Sequence, residues 1–151
     1  MKSFPWNPWL SRHPLFASLT EHEITALLQD NVSQERVFPK DYVILKGGED
    51  GDSLFLLSSG SVQISLGGTT GPLIPVAVIQ TGEIFGEMAV LERKPRSATV
   101  VTREQCVLLE IAGAAIRNLL NAHPAMQVQL YTLVRDRLRQ WFQSLGDGRT
   151  R

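Results

Sequence analysis

Phe85-Gly86-Glu87-Met88-Ala89, closely followed by Pro95-Arg96-Ser97-Ala98-Thr99-Val100, is the stretch on which the reading of this chain turns. It joins a glycine-permitted tight turn, a carboxylate, the start of a short helix and an arginine set between apolar strand segments. Backbone N–H groups at a helix start favour an anion. A guanidinium offers a fixed fork of donors to phosphate oxygens. A nearby carboxylate accepts from a sugar hydroxyl and repels a phosphate, so its distance from the arginine orients the ligand. The combination suits a small molecule carrying both hydroxyls and a phosphate.

A second stretch lies upstream: Gly48-Glu49-Asp50-Gly51-Asp52-Ser53-Leu54-Phe55-Leu56-Leu57-Ser58-Ser59-Gly60-Ser61-Val62. The two together resemble the cyclic nucleotide-binding domain family. The first matches its phosphate-binding cassette, F-G-E-x-A-L, a short spacer, then P-R-(S/T/A)-A-T-V, with Val90 where leucine is usual. The second matches its G-E-x-G-D … G-x-V pattern. Two motifs in the right order are far more specific than one glycine-rich match, and the resemblance runs from about Leu15 to about Leu145.

The resemblance implies a role for each cassette residue. Arg96 would pair with the exocyclic phosphate oxygens; taken alone it reads as a solvated arginine on a half-buried strand. Glu87 would accept from the ribose 2′-hydroxyl, a role compatible with that of an acid favoured by a helix start. Backbone N–H groups of Gly86, Glu87, Ala89 and Ser97 would face the ligand, with Phe85, Met88 and Ala98 completing the binding set. Threonine at the Ser97 position goes with guanine binding and alanine with cAMP; serine leaves the choice between cAMP and cGMP open, with a lean to cAMP. The ligand would be the cyclic nucleotide, with no catalytic cofactor. A residue of the last helix would cap the base, the candidates being Val134, Arg135, Leu138, Arg139 and Trp141. Arg135, Arg137 and Arg139 read first as a solvated face.

Composition sets the frame. A chain of 151 residues, 43% hydrophobic and 20% charged, fits one globular domain with its own core. Fifteen basic and fifteen acidic residues balance to zero net charge, which argues against a nucleic-acid-wrapping protein. No apolar run approaches bilayer-spanning length, and the opening Met1-Lys2-Ser3-Phe4-Pro5 does not read as a signal peptide. Cys106 is the one cysteine, so no internal disulfide framework is expected. These features predict a cytoplasmic protein.

The pattern along the chain predicts an α+β, mainly β, domain. Residues 1–14, rich in Pro and Trp, read as an irregular N-terminal arm. Thr20-Glu21-His22-Glu23 is a capping box opening an amphipathic helix to about Gln29. From about 35 to 111, short apolar runs broken by Gly, Pro and Asp predict a sandwich or barrel; the family resemblance implies an eight-stranded antiparallel β-roll, or jelly roll. Val62-Gln63-Ile64-Ser65-Leu66 alternates, predicting one wet face, and Gly67 to Pro72 is a hairpin loop by composition. Leu73–Ile79 and Val107–Ile111 are further strands. Val62, Ile64, Ile84, Phe85, Val100 and Leu109 are core candidates, and Gly48, Gly51, Asp52 and Gly60 turn residues. Helical spacing returns over about 114–145, with a break at His123-Pro124 and an apolar stripe Met126, Leu130, Leu133, Val134, Leu138, Trp141, Phe142, Leu145. The domain thus spans 15–145, and 146–151 is a polar tail.

Catalysis is not expected. His13, His22 and His123 all fall outside the predicted strands, Cys106 begins an apolar strand, and no P-loop or dinucleotide fingerprint occurs. The chain reads as a receptor that binds a cyclic mononucleotide and moves its last helix, acting alone or as a module of a longer regulator or channel. A ligand-free interaction module of the same fold is the alternative. A protein partner or fused effector is expected, without nucleic-acid or membrane contact, and the Trp141-Phe142-Leu145 stripe could pair two copies.

Overall fold

In the computed structural model, residues 2–67 and 71–146 are described, with side chains through 143. Eight strands form two four-stranded antiparallel sheets: β1 Ser33–Phe38, β2 Val43–Leu45, β3 Ser53–Ser59, β4 Val62–Gly67, β5 Leu73–Ile79, β6 Ile84–Phe85, β7 Thr99–Thr102 and β8 Cys106–Ala112. One sheet has the order β1-β8-β3-β6 and the other β2-β7-β4-β5. The first strand pairs with the last, from Ser33 opposite Ile111 to Phe38 opposite Cys106. This is the expected jelly roll.

The β1-β8-β3-β6 sheet is covered on both faces, which explains why β3 reads as a continuous apolar run rather than an alternation. Leu54 and Leu56 of β3, Leu109 and Ile111 of β8 and Ile84 of β6 join a cluster with the helices. Their neighbours Phe55, Leu57, Leu108 and Phe85 turn the other way, into the roll's interior with Val62, Ile64 and Val100. All six predicted core residues are buried. The wet face expected of β4 is only partly so: Gln63 is half-buried and Ser65 just 3% exposed. The register with β5 shifts between Ile64 and Ser65, and that irregularity breaks the two-residue period. Residues 68–70 of the hairpin loop, the Leu145 side chain and the tail from 147 lie outside the described residues.

Five helices cover the helical face: α1 Trp6–Arg12, α2 Glu21–Leu27, α3 Glu87–Glu92, α4 Gly113–Ala122 and α5 Pro124–Gly146. The capping box forms, with Glu23 N–H donating to Thr20 Oγ1 at 3.1 Å and Thr20 N–H to Glu23 Oε1 at 2.9 Å. The irregular reading of the first fourteen residues is corrected. α1 forms there, and a 3₁₀ turn follows over Pro14–Phe16. The prolines do not prevent it. Pro5 precedes the helix, Pro8 falls in its first turn where an N–H would have no partner, and Pro14 opens the 3₁₀ turn. Trp6 and Leu10, four apart, bury one face at 2% and 0% exposure. The Glu35 carboxylate of β1 fastens the segment by accepting from Ser3 N–H, Ser3 Oγ–H, Phe4 N–H and Trp6 Nε1–H. Burial pushes the Glu35 carboxyl up, but these donors together outweigh it and hold it below its usual value.

α5 changes surroundings along its length. Met126, Leu130 and Val134 lie in the helical cluster, Leu138 touches both clusters, and Trp141 belongs to the roll's interior. The helix therefore crosses from the outer layer to the mouth of the roll.

Candidate functional site

The cassette is held by backbone geometry that only glycine accommodates. Gly86 caps α3 at φ 84°, and a Cβ there would sit 3.0 Å from both Arg96 Nη1 and Ser53 O. Gly51 was read as a turn residue; its requirement is close approach, since a Cβ would come within 2.4 Å of Arg96 Nε. The same loop grips the arginine's backbone: Arg96 N–H donates to Glu49 O and Gly48 N–H to Arg96 O, each at 2.8 Å.

Arg96 as a whole residue is buried, at 7% exposure. Its Nη1 donates to Ser53 O at 3.2 Å and Gly86 O at 3.1 Å, and its Cζ lies 5.7 Å from the centroid of the Phe55 ring. Phe55 in turn stacks on Phe85 with centroids 5.0 Å apart. Among the described residues Arg96 forms no ion pair, and the hydrogen bonds leave Nε and Nη2 unused. Burial lowers its pKa, opposed at longer range by Glu110, Asp52 and Glu87. Neither unused nitrogen is shut away from water, so both can meet an anion.

Glu87, 4% exposed, is the opposite charge of the site, and its partner comes from α5: Arg137 Nη1 donates to Glu87 Oε1. The reading of Arg137 as a solvated residue is corrected. Val134, Arg137, Leu138 and Trp141 fall at i, i+3, i+4 and i+7, so Arg137 lies within the stripe that faces the protein. Arg135 and Arg139 are exposed as expected, and Arg135 pairs with its neighbour Asp136.

All eight predicted site residues, Phe85, Gly86, Glu87, Met88, Ala89, Arg96, Ser97 and Ala98, line one small cavity of about 30 Å³. Leu45, Ile64 and Val100 add an apolar wall, and Arg137 and Trp141 close it from α5. Of the five candidate caps, Trp141 alone lines this cavity; Val134 and Leu138 pack in the clusters. Cationic, anionic and apolar compartments thus lie side by side, the mix of chemistry an amphiphilic anion requires.

A brace outside the cavity ties these parts together. Arg117 of α4 donates through Nη1 and Nη2 to Asp52 Oδ1 and Oδ2 at 2.7 and 2.8 Å, and through Nη1 to Val90 O of α3 at 3.1 Å. The Arg117 hydrogen bonds hold the Asp52 carboxyl below its usual pKa, and Asp52 raises that of Arg117. The glycine loop, the cassette helix and α4 are thereby joined. Cys106 is buried, and burial pushes its thiol pKa up, as befits an inert core residue.

Comparison with known proteins agrees with this geometry. The family described as the cyclic nucleotide-binding domain matches residues 35–123. The Cyclic AMP receptor protein of Thermus thermophilus is 32% identical over 127 residues, covering 84% of this chain and 58% of that protein. A cAMP-dependent protein kinase regulatory subunit of Pyricularia oryzae is 27% identical over 128 residues, covering 84% of this chain and 32% of that subunit. The regulatory domain of Toxoplasma gondii PKA, crystallised with cAMP, superposes with a TM-score of 0.68 at 28% identity, covering 78% of this chain and 46% of that one. The chain thus spans between about a third and three-fifths of the length of these relatives. No helix among the described residues is long and apolar enough to cross a membrane. On the family match, the two motifs and the cavity they line, the chain belongs to the cyclic nucleotide-binding domain family.

Proposed function

We propose that this domain is a cytoplasmic, non-catalytic receptor for a cyclic mononucleotide, cAMP ahead of cGMP, and that it answers the ligand by moving α5. The observation that carries this is Arg96: a residue only 7% exposed whose guanidinium has two nitrogens unused and no carboxylate partner among the described residues. A cyclic phosphate supplies the missing anion and fits the planar fork. The relatives named for cyclic AMP or crystallised with it supply the preference for cAMP.

In this reading the phosphate seats at Arg96 and the backbone of the Gly86–Ala89 turn. The ribose 2′-hydroxyl donates to Glu87, and the base lies against Ile64 and Val100. Because Arg137 of α5 holds Glu87, sugar binding and helix position act on one carboxylate. A ligand moves α5 only to the extent that it binds one helix position better than the other. Calorimetric titration with cAMP and cGMP, beside Arg96→Ala, tests the binding. The expected outcome is saturable heat that weakens about a hundredfold or more in the variant, ~3 kcal/mol; no heat from the folded protein with either nucleotide would sink the reading.

A second surface favours a partner. Val128, Tyr131 and Phe142 of α5 are 67%, 55% and 68% exposed, and Val128, Arg135 and Phe142 recur at intervals of seven. That spacing suits pairing of α5 with a second copy or docking on an effector.

A further inference from the structure

Three carboxylates stand close enough to act on the charge of Arg96, and each is held by a different arginine. Arg36 Nε donates to Glu110 Oε1 at 3.0 Å, and Ser53 Oγ–H donates to Glu110 Oε2 at 2.7 Å. Arg117 takes both oxygens of Asp52, and Arg137 takes Glu87. The start of α4 fixes Asp52 further. Gly113 N–H donates to Asp52 O at 2.8 Å, and a Cβ at Gly113 would sit 2.6 Å from Asp52 Cγ.

The chain around Asp52 runs along Arg96. A Cβ on Gly51, just before it, would come within 2.6 Å of Arg96 Nη2, and Ser53, just after it, gives its carbonyl to Arg96 Nη1. Asp52, Glu110 and Arg96 also line one cavity, on whose wall Arg137 does not lie. A carboxylate tethered there is an internal anion at high effective concentration, with the planar shape that a guanidinium fork accepts. Once paired, the fork has no nitrogens left for a phosphate. We propose that Arg117 and Arg36 are positioning residues for the ligand site: they hold Asp52 and Glu110 off Arg96, so that the ligand's phosphate is the anion Arg96 receives. This rests on the cyclic nucleotide reading above and adds what keeps its phosphate subsite open.

The test is calorimetric titration of cAMP into wild type, Arg117→Met, Arg36→Met, and the pairs Arg117→Met/Asp52→Asn and Arg36→Met/Glu110→Gln. Methionine keeps the bulk of the side chain and removes its charge and donors. A freed carboxylate that occupies Arg96 nine-tenths of the time weakens binding about tenfold, the loss expected for Arg117→Met. Arg36→Met should lose about threefold, because Ser53 still holds Glu110. Neutralising the freed acid should bring each pair back to within about twofold of wild type. A purely structural brace predicts the reverse, since a second substitution cannot mend a broken scaffold. Wild-type affinity in either arginine variant, or a loss that survives neutralisation of the acid, would overturn the proposal. The Arg36 side chain is 45% exposed, so its pair decides the matter if Arg117→Met does not fold. Wild type that binds no cyclic nucleotide overturns the receptor reading itself, and this proposal with it.

Discussion

Replacing Arg96 with lysine keeps one positive charge and discards the planar fork. Two carbonyls, Ser53 O and Gly86 O, have been positioned around Nη1. A lysine ammonium cannot serve both and still present two further nitrogens to a phosphate. Titration of Arg96→Lys with cAMP should therefore show affinity reduced about tenfold or more, with the fold intact by circular dichroism; wild-type affinity would count against the phosphate role. Gly51→Ala approaches the same arginine from behind. Its new methyl would come within 2.4 Å of Nε, so ligand affinity should fall though no ligand-facing atom has changed. Arg96 and Glu87 were legible in the sequence because the cassette is local, with the functional atoms within about a dozen residues of one another. Arg137 was not: its partner lies 50 residues away, and a helical arginine near Arg135 and Arg139 looks solvated until the helix phase is fixed by what it packs against. Asp52 was recognised as a turn residue for the same local reason, and its bond to Arg117, 65 residues distant, was invisible.

Helix α5 and the 3₁₀ turn packed against it carry predictions of their own. The Arg137–Glu87 pair is well buried, with side chains 10% and 6% exposed. Arg137→Ala leaves a buried carboxylate uncompensated and should cost ~3 kcal/mol by denaturant unfolding. Adding Glu87→Gln should recover much of that loss, because no lone charge then remains; additive losses would argue against direct coupling. His13 gives a pH dependence. Its Nδ1 accepts from Leu15 N–H at 3.2 Å, so Nε2 carries the proton and donates to Gly82 O at 2.7 Å. Burial lowers the His13 pKa below its ordinary 6.5, with the Gly82 bond opposing. The unfolded chain therefore binds the proton more readily, and stability present above about pH 6.5 is lost as pH falls below it. Melting temperature should decline from pH 7 to pH 5 less steeply in His13→Asn than in wild type; parallel curves would exclude His13 as a source. Element types were legible where one rule governed them: the capping box placed α2, and Pro124 placed the start of α5. α1 was missed because prolines were counted without regard to their position in a first turn. The β4 alternation misled because a register irregularity displaced Ser65 from solvent.

At the scale of the whole molecule, two hydrophobic clusters share one sheet, and α5 is the helix that visits both among the described residues. Anything that moves its end must rearrange Leu138 and Trp141 in the roll while Met126 and Leu130 stay anchored. In the proposed response the exposed Phe142 end of the helix travels with it, so a partner bound there would feel the ligand. Phe142→Glu should shift any self-association seen by sedimentation toward monomer, and an unchanged distribution would place the interface elsewhere. The jelly-roll topology was legible through family resemblance. The sheet order itself follows from pairings between distant strands, which no local pattern encodes.

That order has a consequence for synthesis. β1 closes on β8, so Val37 waits for Val107 and Phe38 for Cys106. Closing so long a loop must precede the contacts that reward it, which makes assembly slow compared with a helical bundle. A ribosome releasing the chain from its N-terminus delivers α1, α2 and both glycine motifs before the strand that locks them has emerged. The cassette is thus written early and assembled late. Nascent chains halted before residue 112 should remain protease-sensitive throughout, however complete their ligand motifs.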